Sequence, residues 1–119
     1  DEFWKSRGIL QHLKNIKPAV MVVGGLFDAE DLYGPFNTYK NIEANSDNYN
    51  IMVFGPWSHG DWARQSERQA IGNVYFGDNL SRDFQKNYET VFFNHFLKND
   101  GKGTINLPEA SMYDSGARE

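Results

Sequence analysis

The sequence predicts an α/β fold, a mostly parallel sheet flanked by helices, and three observations predict it. Ala19-Val20-Met21-Val22-Val23 and Ile51-Met52-Val53-Phe54 are short, continuous apolar runs rich in β-branched residues, the pattern of strands covered on both faces. Between them lies a segment of helical length, from the Gly34-Pro35 turn through Phe36, Tyr39 and Ile42 to about Asn45. Each run stops at glycine, Gly24-Gly25 or Gly55-Pro56, and opens into a loop that carries a reactive side chain. Strand, loop, helix, strand, loop is a βαβ unit, which implies a parallel pair with a right-handed crossover.

The remaining elements follow in order. Phe3 to Ile16 reads as a helix, since Phe3, Ile9, Leu10, Leu13 and Ile16 recur mostly at three- and four-residue intervals. Gly8 weakens it by about 1 kcal/mol relative to alanine, and Pro18 stops it. Arg64 to Asn73 is polar and ambiguous, and Val74-Tyr75-Phe76 suits a brief strand. From Asn79 or Ser81 a long helix is expected, with Phe84, Tyr88, Val91, Phe92, Phe96 and Leu97 as a core-facing stripe. Asn99-Asp100-Gly101 ends it. The tail, with Ile105, Leu107, Met112 and Tyr113, reads as one extended strand with nothing after it to pair with.

Composition narrows the function. A chain of 119 residues fits one domain. Zero cysteines remove disulfide scaffolds, thiolate zinc sites and cysteine nucleophiles. A net charge of −4 with scattered lysines argues against nucleic acid as a partner. The longest apolar stretch is Ala19 to Val23, far short of the roughly 20 residues a membrane helix needs. Nine Phe, six Tyr and three Trp argue against disorder. The chain opens on Asp1 rather than Met, so it is either processed or a piece of something longer.

The chemistry is positional. In an open α/β sheet, functional groups sit in loops beyond the carboxyl ends of the strands. Asp28 follows the first strand and His59 the second. Neighbouring parallel strands lie only about 5 Å apart, so the two side chains can meet. A carboxylate on an imidazole fixes its tautomer and stabilises the imidazolium, as in a Ser-His-Asp triad, and Asp before His is the chain order of α/β-hydrolases. The plainer alternative is an ordinary turn aspartate and a surface histidine. Glu30 and Asp31, two clustered carboxylates, favour a cation, or else cap the following helix. Trp57 and Trp62 flank His59 and either line an acyl pocket or pack against a part of the domain outside these residues. A metal site of Asp28, Glu30, Asp31 and His59 is a weaker alternative, and Tyr33 stands where a calcium loop starting at Asp28 needs glycine. His12 and His95 read as surface or packing residues. Ser58 directly precedes His59 and is a poor nucleophile, because adjacent side chains diverge. No cofactor-binding pattern stands out.

Val22-Val23-Gly24-Gly25-Leu26-Phe27-Asp28-Ala29-Glu30-Asp31, followed by Phe54-Gly55-Pro56-Trp57-Ser58-His59, resembles the CocE/NonD-type acyl hydrolases: α-amino acid ester hydrolase, cocaine esterase and glutaryl-7-aminocephalosporanic acid acylase, relatives of the X-Pro dipeptidyl peptidases. The resemblance covers nearly the whole chain. It implies a fragment of an α/β-hydrolase fold, with residues 1–109 the C-terminal portion of a catalytic domain and 110–119 the start of a connection to a jelly-roll β domain. It implies Asp28 as triad acid, His59 as general base, Glu30 and Asp31 as part of a carboxylate cluster for a substrate α-ammonium, and a small ester or amide substrate. Neither the family's nucleophile pattern, G-x-S-x-G or similar, nor its oxyanion-hole tyrosine occurs in these residues. The isolated chain is therefore expected to be inactive. X-Pro dipeptidyl-peptidase activity, glutaryl acylase activity and a noncatalytic α/β binding module remain alternatives. A homo-oligomer is expected from apolar surface left uncovered, and a periplasmic or secreted location from the resemblance alone.

Overall fold

The computed structural model describes residues 1–64 and 67–116. Its centre is a three-stranded parallel sheet in the order β1 (Val20–Gly25), β2 (Asn50–Gly55) and β5 (Ala110–Met112). The β1–β2 pair is in register from Val20↔Asn50 to Gly25↔Gly55, so both strands deliver their loops to the same edge. Helix α2 (Tyr33–Asn45) makes the crossover between them.

Side-chain alternation along β2 assigns the two faces. Val53, wholly buried, joins Trp57 and Phe84 in a cluster onto which Met21, Val23, Trp62, Tyr88 and Tyr113 pack. Its neighbour Phe54 points to the other face and stacks on Phe36 of α2, with ring centroids 4.0 Å apart. Burial is most complete in the middle strand, where only Met52 is half-buried: in β1, Val20, Met21 and Val23 are half-buried, because among the described residues β1 has a neighbour on one side alone.

Two expectations need correction, the N-terminal helix and the regularity of the long one, and two further stretches take definite form. The helix expected over Phe3–Ile16 is instead a single turn, α1 (Glu2–Lys5), and a 3₁₀ turn at Ile9–His12, with Gly8 in extended conformation between them. Of its apolar set only Leu13 is buried, while Phe3 and Ile9 stay exposed, and a helix this short needs packing to hold it. Secondly, the ambiguous stretch yields a strand: β3 (Arg68–Ile71) pairs antiparallel with β4 (Val74–Asp78) across a two-residue Gly72-Asn73 turn. Residues 65 and 66 of that stretch lie outside the described residues.

Thirdly, the long helix is present but not regular. It runs as α3 (Leu80–Phe84), a π turn (Gln85–Glu89), α4 (Thr90–Phe93) and a second π turn (Asn94–Lys98). The wider π turns keep residues four apart on one face. Phe84, Tyr88, Phe92 and Phe96 thus point inward, while Val91 and Leu97, placed in the stripe by an ideal 3.6-residue repeat, are exposed. His95 is buried against Phe96, a packing role. Finally, the tail forms a strand as expected, over Ala110–Met112, and it pairs with the upstream β2, Met52↔Ala110 to Phe54↔Met112. Residues 110–112 therefore lie within the sheet. Tyr113 follows, its hydroxyl donating to Asp83 on α3 at 2.6 Å.

Candidate active site

The two loops at the carboxyl edge are held together by backbone before any side chain matters. The Leu26 amide donates to the Gly55 carbonyl at 2.8 Å and the Phe27 amide to the Trp57 carbonyl at 3.2 Å. Glycine at position 25 permits this approach, since a Cβ there would sit 2.2 Å from the Trp57 carbonyl oxygen.

Asp28 ends that turn with its side chain only 3% exposed. Its Oδ1 accepts from the amides of Glu30 at 2.8 Å and Asp31 at 3.1 Å. Its Oδ2 faces His59 Nδ1 at 2.9 Å. Burial pushes the carboxyl's pKa up, but the two amides and His59 outweigh it and hold the group below its ordinary value. Because a carboxylate only accepts, Nδ1 carries the hydrogen and the lone pair of Nε2 faces outward.

His59 is 56% exposed and stands on the turn Ser58-His59-Gly60-Asp61. Gly60 takes a positive φ of 75°, a conformation glycine adopts without penalty. The hydrogen bond and charge of Asp28, then the charge of Glu30, raise the imidazole pKa; desolvation and Arg64 oppose them. An open recess of about 340 Å³ lies in front of the ring, lined by Phe27, Ala29, Glu30, Ser58, His59 and Arg64.

The other expected residues divide. Glu30 reaches the site: its Oε2 lies 3.8 Å from His59 Nε2, with the side chain 73% exposed. Asp31 turns away, and its Oδ1 accepts from the Gly34 amide at 2.5 Å in the first turn of α2, the capping alternative. Trp57 as a substrate contact is corrected by its burial. Its ring is 0% exposed, edge-on to Tyr113, Phe84 and Trp62 at 5.3, 5.5 and 6.4 Å. The period-two alternation of β2 carries past Gly55 and turns Trp57 toward the same core as Val53. Among the described residues, no group of three or more His, Asp or Glu side chains is placed to hold a metal ion.

Two residues at the site escaped the sequence reading. Asp61 accepts from both the amide and the hydroxyl of Ser58, which commits that hydroxyl away from His59. Arg64, which lines the recess, pairs with the other Asp61 oxygen at 2.7 Å. The signal was the Ser-x-x-Asp spacing of Ser58 and Asp61, in which the later side chain reaches back to the earlier amide.

With this geometry in place, comparison with known proteins adds relatives. Residues 1–61 match the X-Pro dipeptidyl-peptidase (S15) family. The chain is 28% identical to an aminopeptidase from the marine sediment archaeon Thaumarchaeota archaeon, with a TM-score of 0.86, covering 98% of this chain and 19% of that one. It is 27% identical to an α-amino acid ester hydrolase, with a TM-score of 0.84 and the same 98% and 19% coverage. The chain thus spans about a fifth of the length of these structures. No curated protein matches it.

Proposed function

The chain belongs to the X-Pro dipeptidyl-peptidase (S15) family, and from that membership we propose that it supplies the acid and base of a serine-dependent acyl hydrolase, the nucleophile coming from sequence outside these 119 residues. The observation that carries the proposal is the 2.9 Å contact between Asp28 Oδ2 and His59 Nδ1 at the carboxyl edge of two adjacent parallel strands. It leaves Nε2 free to take the proton of a serine as its oxygen attacks an ester or amide carbonyl. His59 then passes that proton to the leaving alcohol or amine, and Asp28 stabilises the imidazolium in between.

The mouth of the site supports one substrate class. Glu30 sets an exposed carboxylate beside Nε2, which favours a cation next to the scissile bond. The names of both structural relatives, an aminopeptidase and an α-amino acid ester hydrolase, denote substrates with an α-amino group. We assign Glu30 the role of binding that ammonium. Asp31, engaged with the Gly34 amide, shares it only through its charge.

The test is hydrolysis of a p-nitrophenyl ester of an α-amino acid by the polypeptide that contains both this chain and its serine. Turnover is expected in the parent protein and none above background in His59→Ala. Activity that survives this substitution would return the chain to a noncatalytic role.

A further inference from the structure

His59 poses a mechanical problem. Its ring is more than half exposed, so packing does not fix it, yet it keeps a hydrogen-bonding distance to a buried carboxylate 31 residues away. The partner is rigid, because Asp28 is held by two backbone amides. The constraint on the histidine must come from its own backbone.

That backbone is a four-residue turn closed several times over by one side chain. The Asp61 amide donates to the Ser58 carbonyl at 3.2 Å. In return Asp61 Oδ2 accepts from the Ser58 amide and the Ser58 hydroxyl. Its Oδ1 holds Arg64 Nη1 at 2.7 Å. The carboxylate is largely shielded, 21% exposed, and its pKa, which burial would raise, is held below the ordinary value by the Ser58 bonds and Arg64. Past the turn, the Trp62 carbonyl accepts from Gln85 Nε2 at 3.0 Å, which ties the loop to the helical run 80–98. His59 sits at the apex between these anchors, and Gly60 supplies the left-handed residue that lets the turn close.

We propose that Asp61 is the positioning residue of His59: by clamping Ser58 from the far side of the turn, it keeps the imidazole within reach of Asp28. Asp61 touches neither substrate nor the reacting proton. The same carboxylate keeps Arg64 beside the recess, so one group sets both the place of the base and the cation opposing its protonation. The catalytic readout rests on the proposed role of His59; the positioning does not.

The experiment compares Asp61→Asn, Asp61→Ala and Ser58→Ala with the parent protein that hydrolyses the α-amino ester. Two quantities are read: kcat against KM, and the midpoint of His59 titration by NMR. The charged groups facing the ring among the described residues are Asp28, Glu30 and Arg64; no variant replaces them, and both Asp61 variants remove the carboxylate that pairs with Arg64, so any shift from Arg64 is common to the two. Both Asp61 variants lose the same charge, but asparagine keeps an oxygen that accepts from the Ser58 amide. Positioning therefore requires an order: parent, then Asn, then Ala, in kcat and in the His59 midpoint. The Ala variant should lose about ten- to a hundredfold in kcat with KM little changed, the scale of a small misplacement of a catalytic group. Ser58→Ala removes one bond of the clamp and no charge, and should lower both quantities by a smaller step. Identical Asn and Ala variants would mean that only charge matters and would overturn the proposal, as would a His59 midpoint unmoved in every variant. If Asp61→Ala does not fold, Ser58→Ala and Asp61→Asn against the parent decide it. If the parent shows no ester hydrolysis, the functional reading fails, and the His59 midpoints still decide the positioning.

Discussion

Asp28 and His59 occupy equivalent loops at one edge of one sheet, yet the aspartate side chain is 3% exposed and the histidine 56%. The acid is held from inside. Two amides of its own loop and the imidazole use its lone pairs, and Gly25 lets the chain fold back against the Trp57 carbonyl to form that nest. The base is held from outside, by a turn whose hydrogen bonds never touch its ring. The contrast matches the roles proposed for the two groups. A carboxylate that orients and stabilises works best where water cannot compete, whereas a base must present one nitrogen to a substrate. Burying both would close the site, and exposing both would leave their attraction to be screened by solvent.

The largest effect expected from breaking this asymmetry is at the acid. Asp28→Asn keeps the shape of the nest but removes the charge, and the turnover of an α-amino ester should fall by about 10⁴. Steady-state kinetics at neutral pH checks this, and near-normal turnover would detach Asp28 from the chemistry. Next comes the mouth of the site. With Glu30→Gln, the preference for an α-amino ester over its des-amino analogue should shrink by about tenfold, the scale of one partly exposed charge-assisted contact. An unchanged preference would move ammonium binding elsewhere. The smallest effect belongs to Trp57. Its ring is core, so Trp57→Phe should lower the denaturation midpoint, at a cost of a few kcal/mol for the lost burial and the cavity left behind, while KM for any ester stays essentially unchanged. A large KM change without lost stability would restore Trp57 to the substrate pocket.

The parts of the molecule that the sequence made legible share a cause. β1, α2 and β2 carry strong local signals, namely β-branched runs, glycine stops and a Gly-Pro turn, and tertiary packing reinforces them. The Asp28–His59 meeting was legible because two parallel strands in register leave little freedom at their carboxyl ends. Where local pattern and packing disagree, the reading failed. Phe3 and Ile9 carry the apolar pattern of a helix but stay exposed, the Phe3 ring meeting Trp4 and Arg7 of its own turn. Leu97 has the spacing of a core residue on an ideal helix, and the π turns rotate it into solvent. The partner of β5 lies some 58 positions upstream, Met52 for Ala110, a distance at which sequence pattern carries no pairing signal. Trp57 was ambiguous because a loop residue two past a strand can continue the pleat or leave it, and only the Val53–Phe84 cluster decides between them.

The contact between the loops also links protonation to stability. His59 is raised, so its contribution is complete below the ordinary imidazole value of 6.5 and fades as pH climbs through its higher folded value. Asp28 is lowered, so its contribution is present above 3.8 and fades as pH falls through its lower folded value. The pair is therefore most stabilising between those two ordinary values.

The central claim, that a buried Asp28 sets the protonation of an exposed His59, is tested most directly by NMR titration of the His59 ring in the parent protein and in Asp28→Asn. The account predicts a midpoint above 6.5 in the parent and a clear downward move in the variant. A parent midpoint at or below 6.5, unmoved by the substitution, would contradict it.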